Sequence, residues 1–354
     1  MRSGLCSAAA VCRRCFVLLP ARLLAAFAFA ALLAALAAAQ TATTTISGTV
    51  YDPRGASGLP LPNILVYVAT NAPDPLPAGV QCLTTASIPS GAIAYTTTDV
   101  NGNFTISGVP VSATYYLVIQ AGKWRRIYPN VVVDTTPLTG QILSMPANHS
   151  QGDIPLIAIA TGNVDGFECV FRDMGIDVAE VSDDVADPTF TDRIHLYKGN
   201  SAAGADISPS TPSESTLIDN STLLNSYDVA MFPCQGGPKV KSSTELANML
   251  SFANSGGRIF ATHYSYDWLN TNPAFGSPFT GVANWAATSI TNNSPLPNPS
   301  PDPGIANVTT SFTDAATVAQ WLFNAGATYK GLQDEIQIST LRRDLTSIIA
   351  PTQS

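Results

Sequence analysis

Asn225–Gly237, NSYDVAMFPCQGG, followed by Leu246–Trp268, LANMLSFANSGGRIFATHYSYDW, decides the fold of the C-terminal two-thirds of this chain. Asp228–Phe232 is a short apolar strand that ends at the turn Pro233-Cys234-Gln235-Gly236-Gly237. The spacing predicts a helix over Ser242–Ala253, capped by Ser242 or Ser243 and stopped at Gly256-Gly257. Arg258–Thr262 is the next strand and runs into His263-Tyr264-Ser265-Tyr266-Asp267-Trp268. Strand, helix and strand in this order give parallel neighbours joined by a right-handed crossover. The same rhythm extends upstream. Ile154–Ala160 is an apolar run suited to a strand buried on both faces. A helix is predicted over Gly166–Met174 and a strand over Arg193–Tyr197, with a weak helix over Leu217–Leu224. Residues 153–350 therefore read as an α/β domain on a parallel sheet, with a Pro/Asn-rich loop at 273–303 and a packing helix over Thr313–Asn324.

In parallel sheets, ligands bind beyond the carboxyl ends of the strands. Three loops would share that edge: Gly162–Glu168, Cys234–Gly237 and His263–Trp268. The two quoted segments resemble the class I glutamine amidotransferase-like fold, a flavodoxin-like α/β architecture. The resemblance implies that Gly236 and Gly237 lie in an oxyanion loop, and that the turn after GGRIF is the nucleophile elbow. Here the elbow reads Ala261-Thr262-His263-Tyr264-Ser265, so His263 holds the nucleophile position and both elbow glycines are missing. A trehalose-utilisation-type branch also carries a His there. The fold normally continues with a strand bearing a late catalytic His; none follows here, which implies either its loss or a truncated product.

Three chemical readings of this edge stay open. Cys234 is a candidate thiol nucleophile with His263 as its base. His263 and Asp267, with Asp165 or Glu168, are candidate metal ligands, but one histidine at the edge falls short of the usual zinc set. Cys169 and Cys234 form a candidate disulfide if flavodoxin-like order makes the first and third strands neighbours. No complete catalytic set is present, and no cofactor or metal is expected.

Residues 42–134 have a different grammar: short alternating strands separated by turns. Ile46–Tyr51 alternates and ends at Asp52-Pro53-Arg54-Gly55, and Pro62-Asn63 opens the next strand. Asp99-Val100-Asn101-Gly102-Asn103 reads as a hairpin in which Asn101 and Gly102 take positive φ. It superficially matches a calcium loop, but the required acidic twelfth position is Pro110. The stretch ISGTVYDPRG…LPLPNILVYVA…AYTTTDVNGNFTISGVPVSATYYLVIQAGKW resembles the carboxypeptidase regulatory-like domain. The resemblance implies a transthyretin-like β-sandwich serving as a spacer or a glycan- or protein-binding module, with no peptidase activity. His149, His195 and His263 are the only histidines, and none forms a zinc-peptidase motif. Trp124, Arg125 and Tyr128 belong to an aromatic-basic cluster able to stack on a sugar or to pack a strand edge. Residues 135–152 are expected to be a linker.

The first 39 residues read as a secretory signal. Arg2, Arg13, Arg14 and Arg22 are followed by the apolar run Leu23–Leu36 and by Ala37-Ala38-Ala39, with cleavage before Gln40. The uninterrupted apolar part is about 17 residues, at the short limit for a bilayer span. Arg13-Arg14-Cys15-Phe16-Val17 resembles the twin-arginine export motif. The mature chain would be secreted, periplasmic or on a bacterial cell surface, with no transmembrane segment. Losing four basic residues makes it still more acidic than the −8 of the full chain, which disfavours nucleic acid as a partner. Only Cys82, Cys169 and Cys234 would remain, too few for a disulfide scaffold.

The combined expectation is a mixed fold, an N-terminal all-β sandwich plus an α/β parallel-sheet domain. The function expected is that of an exported non-enzymatic binding or structural protein. The ligand class is glycan or cell-envelope polymer, and Trp124, Arg125, Tyr128, Gly236 and Tyr264 are the candidate contacts. The alternatives are a hydrolase acting at His263, Asp267 and Cys234, or a surface-structural protein without ligand. Oligomeric state is not fixed by the sequence.

Overall fold

A computed structural model describes residues 42–82, 88–183, 191–199, 204, 207–288, 303–339 and 344–350. The signal segment 1–39 and most of the tip of the Pro/Asn-rich loop lie outside the described residues. Among the described residues, no helix is long and apolar enough to cross a membrane.

The fold is mixed, with antiparallel sheets and one five-stranded parallel sheet. Seven strands come first: β1 (Thr43–Tyr51), β2 (Leu65–Ala69), β3 (Ala92–Thr97), β4 (Asn103–Pro110), β5 (Ala113–Ala121), β6 (Trp124–Val133) and β7 (Leu138–Ser144). They form a four-stranded sheet, β3-β2-β5-β6, and a three-stranded sheet, β4-β1-β7. Alternation sets the burial: Phe104 and Ile106 of β4 turn inward, as do Ile46 and Val50 of β1, and they meet Val66, Val68, Leu117 and Ile119 in one core.

Two expectations change here. Residues 135–152 are not a simple linker, because β7 pairs in parallel with β1 and buries Leu143. The hairpin at residue 99 also differs: Gly102 has φ +74°, while Asn101 stays out of the positive-φ region. Asp99 Oδ1 accepts from the N–H groups of Asn101 (2.8 Å) and Asn103 (2.9 Å), so the carboxylate builds the turn and one left-handed glycine suffices.

The chain then enters the parallel sheet: β8 (Ile157–Thr161), β9 (Val181–Ser182), β10 (Ile194–Lys198), β11 (Val229–Phe232) and β12 (Arg258–Ala261), in the order β12-β11-β8-β10-β9. The first and third long strands, β8 and β11, are neighbours. Helices α1 (Phe167–Asp173), α2 (Glu214–Ile218), α3 (Ser221–Leu224) and α4 (Ser243–Asn254) connect them. The weak helix expected over 217–224 is split in two, because Asn220 leaves helical geometry to cap α3 by accepting from the Leu223 N–H. One sheet face packs Ala158, Ala160, Ala230 and Phe232 against Leu217, Met249 and Phe252. The other packs Ile157, Ile159, Ile194 and Leu196 against Phe171.

α4 carries a capping box in which Ser242 Oγ accepts from the Glu245 N–H and the Glu245 carboxylate accepts from the Ser242 N–H. Ser242→Ala is expected to cost about 1 kcal/mol of unfolding free energy, read by urea denaturation. Downstream, β13 (Ala283–Trp285) pairs with β16 (Leu345–Ile348), and β14 (Gly304–Asn307) with β15 (Glu335–Ile338). The last helix, α5 (Thr313–Asn324), packs through Trp321, whose Nε1–H donates to the Pro60 carbonyl at 2.8 Å; Phe323 is exposed.

Candidate functional site

Strand register builds the site. β11 and β12 run parallel with Phe232 opposite Ala261. Cys234 and His263 each lie two residues past those aligned ends, on strands about 4.8 Å apart. Their side chains meet: Cys234 Sγ is 2.9 Å from His263 Nδ1. The Gly236 N–H donates to the same sulfur at 3.4 Å. His263 sits at φ +45°, a region that residues with a side chain seldom adopt, so the backbone is bent sharply where β12 ends.

The third expected loop completes the arrangement. Asp165 Oδ2 accepts from Thr262 Oγ1 at 2.5 Å and from the Cys234 N–H at 3.2 Å; that N–H also lies 3.1 Å from Thr262 Oγ1. Asp165 therefore ties β8's loop to both β11's and β12's. Gly162 is needed here, since a Cβ would stand 2.2 Å from the Cys234 carbonyl oxygen. Cys234 is fully buried, His263 half-buried, and the Tyr264 ring lies 4.5 Å from the imidazole.

Asp267 does not join the Cys–His pair. It is buried, and its Oδ2 accepts from the Lys239 N–H at 2.6 Å. Beside it lies a network the sequence did not reveal. Glu214, with no exposure, accepts from Lys241 Nζ at 2.9 Å and from Gln235 Nε2 at 2.6 Å, and Lys241 Nζ stands 4.3 Å over the Trp268 ring. Burial opposes the charge on Lys241, but Glu214 and Asp267 together hold its pKa above the ordinary value. These contacts tether both ends of the Gln235–Lys241 segment. No local motif signals Glu214 or Lys241; only their burial in a chain this poor in charge marks them.

Burial pushes the Asp267 carboxyl up to about 6, opposed by Lys241 and by the Lys239 N–H. The folded state thus keeps a proton that the unfolded chain releases between about pH 4 and 6. The raised pKa means that stability falls as pH rises through this window, by on the order of 3 kcal/mol, and levels off above it. Asp267→Asn, which cannot ionise, is expected to remove that slope. Thermal unfolding of parent and variant at pH 4.5 and 7 measures the difference, and equal slopes would refute it.

The structure corrects two further expectations. Cys169 and Cys234 do not form a disulfide: both are free thiols, as is Cys82, with Cys169 exposed on α1 and Cys234 buried against His263. Trp124, Arg125 and Tyr128 use their polar atoms inside the protein. Trp124 Nε1–H donates to the Pro146 carbonyl (3.2 Å), and its ring packs against both the core formed by β1–β7 and a core of the parallel sheet. Arg125, only 5% exposed, binds Asp153 (2.8 Å) and the Asp74 carbonyl (2.9 Å). Tyr128 Oη donates to the Ser144 carbonyl (3.0 Å) and accepts from its N–H (2.9 Å). Among the described residues, no group of three or more His, Cys, Asp or Glu side chains is placed to hold a metal; Asp165 meets the edge through Thr262, and the Glu168 Oε2 atom is buried without a hydrogen-bond partner.

Fold and site together define a mixed-fold protein with a thiol–imidazole pair at the carboxyl edge of a parallel sheet. No family model matches the chain, and no curated protein or solved structure matches it either.

Proposed function

We propose that the chain is an exported protein whose Cys234–His263 pair carries out thiol-dependent hydrolysis or acyl transfer. In this reading a class I amidotransferase-like sheet carries the pair, and a carboxypeptidase regulatory-like sandwich of transthyretin-like form supports it. The 2.9 Å contact between Sγ and Nδ1 is the observation that carries the reading.

His263 Nδ1 takes the thiol proton as Sγ attacks a carbonyl carbon. Charge develops on the carbonyl oxygen, and the Gly236 N–H, which meets Sγ at 3.4 Å, is placed to turn to it, with the Gly237 N–H next in the loop. The protonated ring gives its proton to the leaving group, and a C–S bond remains. Water, deprotonated by the same nitrogen, then breaks the C–S bond, releases the acid and restores the thiol. Because Cys234 is fully buried, substrate reaches it only through a local opening of the residues around it.

The test is turnover of p-nitrophenyl acetate and of an aryl amide, with labelling by iodoacetamide followed by intact mass. Labelling of Cys234 that abolishes turnover, and no turnover in Cys234→Ala, is the expected result. Turnover that survives in Cys234→Ala would overturn the proposal. So would a native Cys234 that neither labels nor turns over either substrate.

The complete burial of Cys234 favours a second reading, in which the pair is a structural clamp and the protein binds glycan or cell-envelope polymer without chemistry. That reading predicts an unlabelled thiol and retention on immobilised polymer.

A further inference from the structure

The opposite end of the parallel sheet holds a cavity of about 490 Å³, enclosed between the loop Leu76–Gly79, the β5–β6 turn and the residues that precede β8, β10 and β11. Its volume lies within the range of small-ligand sites. Its charged side chains are not equivalent. Lys123, 9% exposed, is held by Asp228 Oδ1 and the Gly79 carbonyl, both at 2.5 Å. Asp228 Oδ2 accepts from the Leu156 N–H at 2.9 Å. Asp153 is taken by Arg125 at 2.8 Å. Both carboxylates that face the cavity are therefore already used.

Arg193 and His149 are not used up in this way. Arg193 donates its Nε–H to the Ile154 carbonyl at 2.9 Å, and among the described residues no carboxylate pairs with its guanidinium. Arg193 thus presents a guanidinium at the cavity wall with no carboxylate beside it. His149 is fixed by Glu180, a fully buried carboxylate whose Oε1 accepts from Nδ1 at 2.6 Å and from the His149 N–H at 2.8 Å. With Nδ1 committed, Nε2 is the ring atom left for another partner, and the side chain is 48% exposed at the cavity.

We propose that this cavity binds a small organic anion, a carboxylate or a phosphate monoester, whose charge meets Arg193 and one of whose hydroxyls donates to His149 Nε2. The fork of the Arg193 guanidinium would take the anion's oxygens in a paired contact, while Leu76, Pro77, Ile154 and Leu156 cover its neutral part. The site is separate from the Cys234 edge and does not depend on its chemistry.

Isothermal titration of the full chain with glucuronate, glucose 6-phosphate and glucose tests the proposal and tells a carboxylate from a phosphate ligand. Saturable binding of at least one anion but not glucose is the expected result, weakened at least tenfold in Arg193→Gln and clearly in His149→Gln, which keeps its backbone N–H to Glu180. Cys234→Ala should bind as the parent does, so failure of the thiol reading and failure of this one are distinguishable. No saturation by either anion up to 10 mM, equal binding of glucose, or unchanged affinity in folded Arg193→Gln and His149→Gln would overturn it.

Discussion

Replacing His263 by asparagine is expected to lower Cys234-dependent turnover by about 10²- to 10⁴-fold, the usual loss when a general base is removed. Asparagine is the better substitution because the residue sits at φ +45°, and asparagine tolerates the left-handed region more readily than alanine. The bend after β12 is therefore kept while the ring that meets Sγ at 2.9 Å is lost. The rate of iodoacetamide labelling should fall with turnover, since both require removal of the thiol proton. An unchanged circular dichroism spectrum with unchanged labelling and turnover would show that the imidazole plays no part.

Glu214→Ala is expected to destabilise the protein by about 3–5 kcal/mol, the range found when one partner of a buried ion pair is removed. The ammonium of Lys241 would lose its 2.9 Å partner, and Gln235 its acceptor at 2.6 Å. Asp267 acts on Lys241 through its charge alone, its Oδ2 being taken by the Lys239 N–H. Glu214→Gln, which keeps the shape and one acceptor oxygen, should cost less. Urea unfolding of the two variants gives the comparison. A Glu214→Ala cost below about 1 kcal/mol would mean that the pair contributes no more than a surface salt bridge.

The two variants probe different levels of the same edge. His263 touches the sulfur, whereas Glu214 acts through Gln235 and Lys241 on the segment that follows Cys234. A loss of turnover in Glu214→Gln without a matching loss of stability would assign the network to positioning that segment.

The sequence by itself determined the elements and their layering. The run from Ile154 to Ala160 suited a strand covered on both faces, and β8, which begins at Ile157 rather than Ile154, is buried throughout. The alternation in β4, the capping signals of α4 and the strand–helix rhythm after residue 225 are local codes, because burial on a regular element repeats with that element's own period. These codes also located the three loops of the carboxyl edge. They were silent on β7, whose exposed, Gly- and Gln-containing stretch carries little periodic signal and becomes a strand only because β1 offers it an open edge. They also left open whether Trp124 faces solvent; the tertiary structure made it a wedge between two cores.

The chemistry depended most on tertiary structure. Cys234 could have met Cys169 or His263, and only the parallel register of Phe232 with Ala261 brings thiol and imidazole together two residues beyond the strand ends. The Glu214–Lys241 pair was decided the same way, since contacts between distant residues follow from strand order and register, which no local pattern encodes.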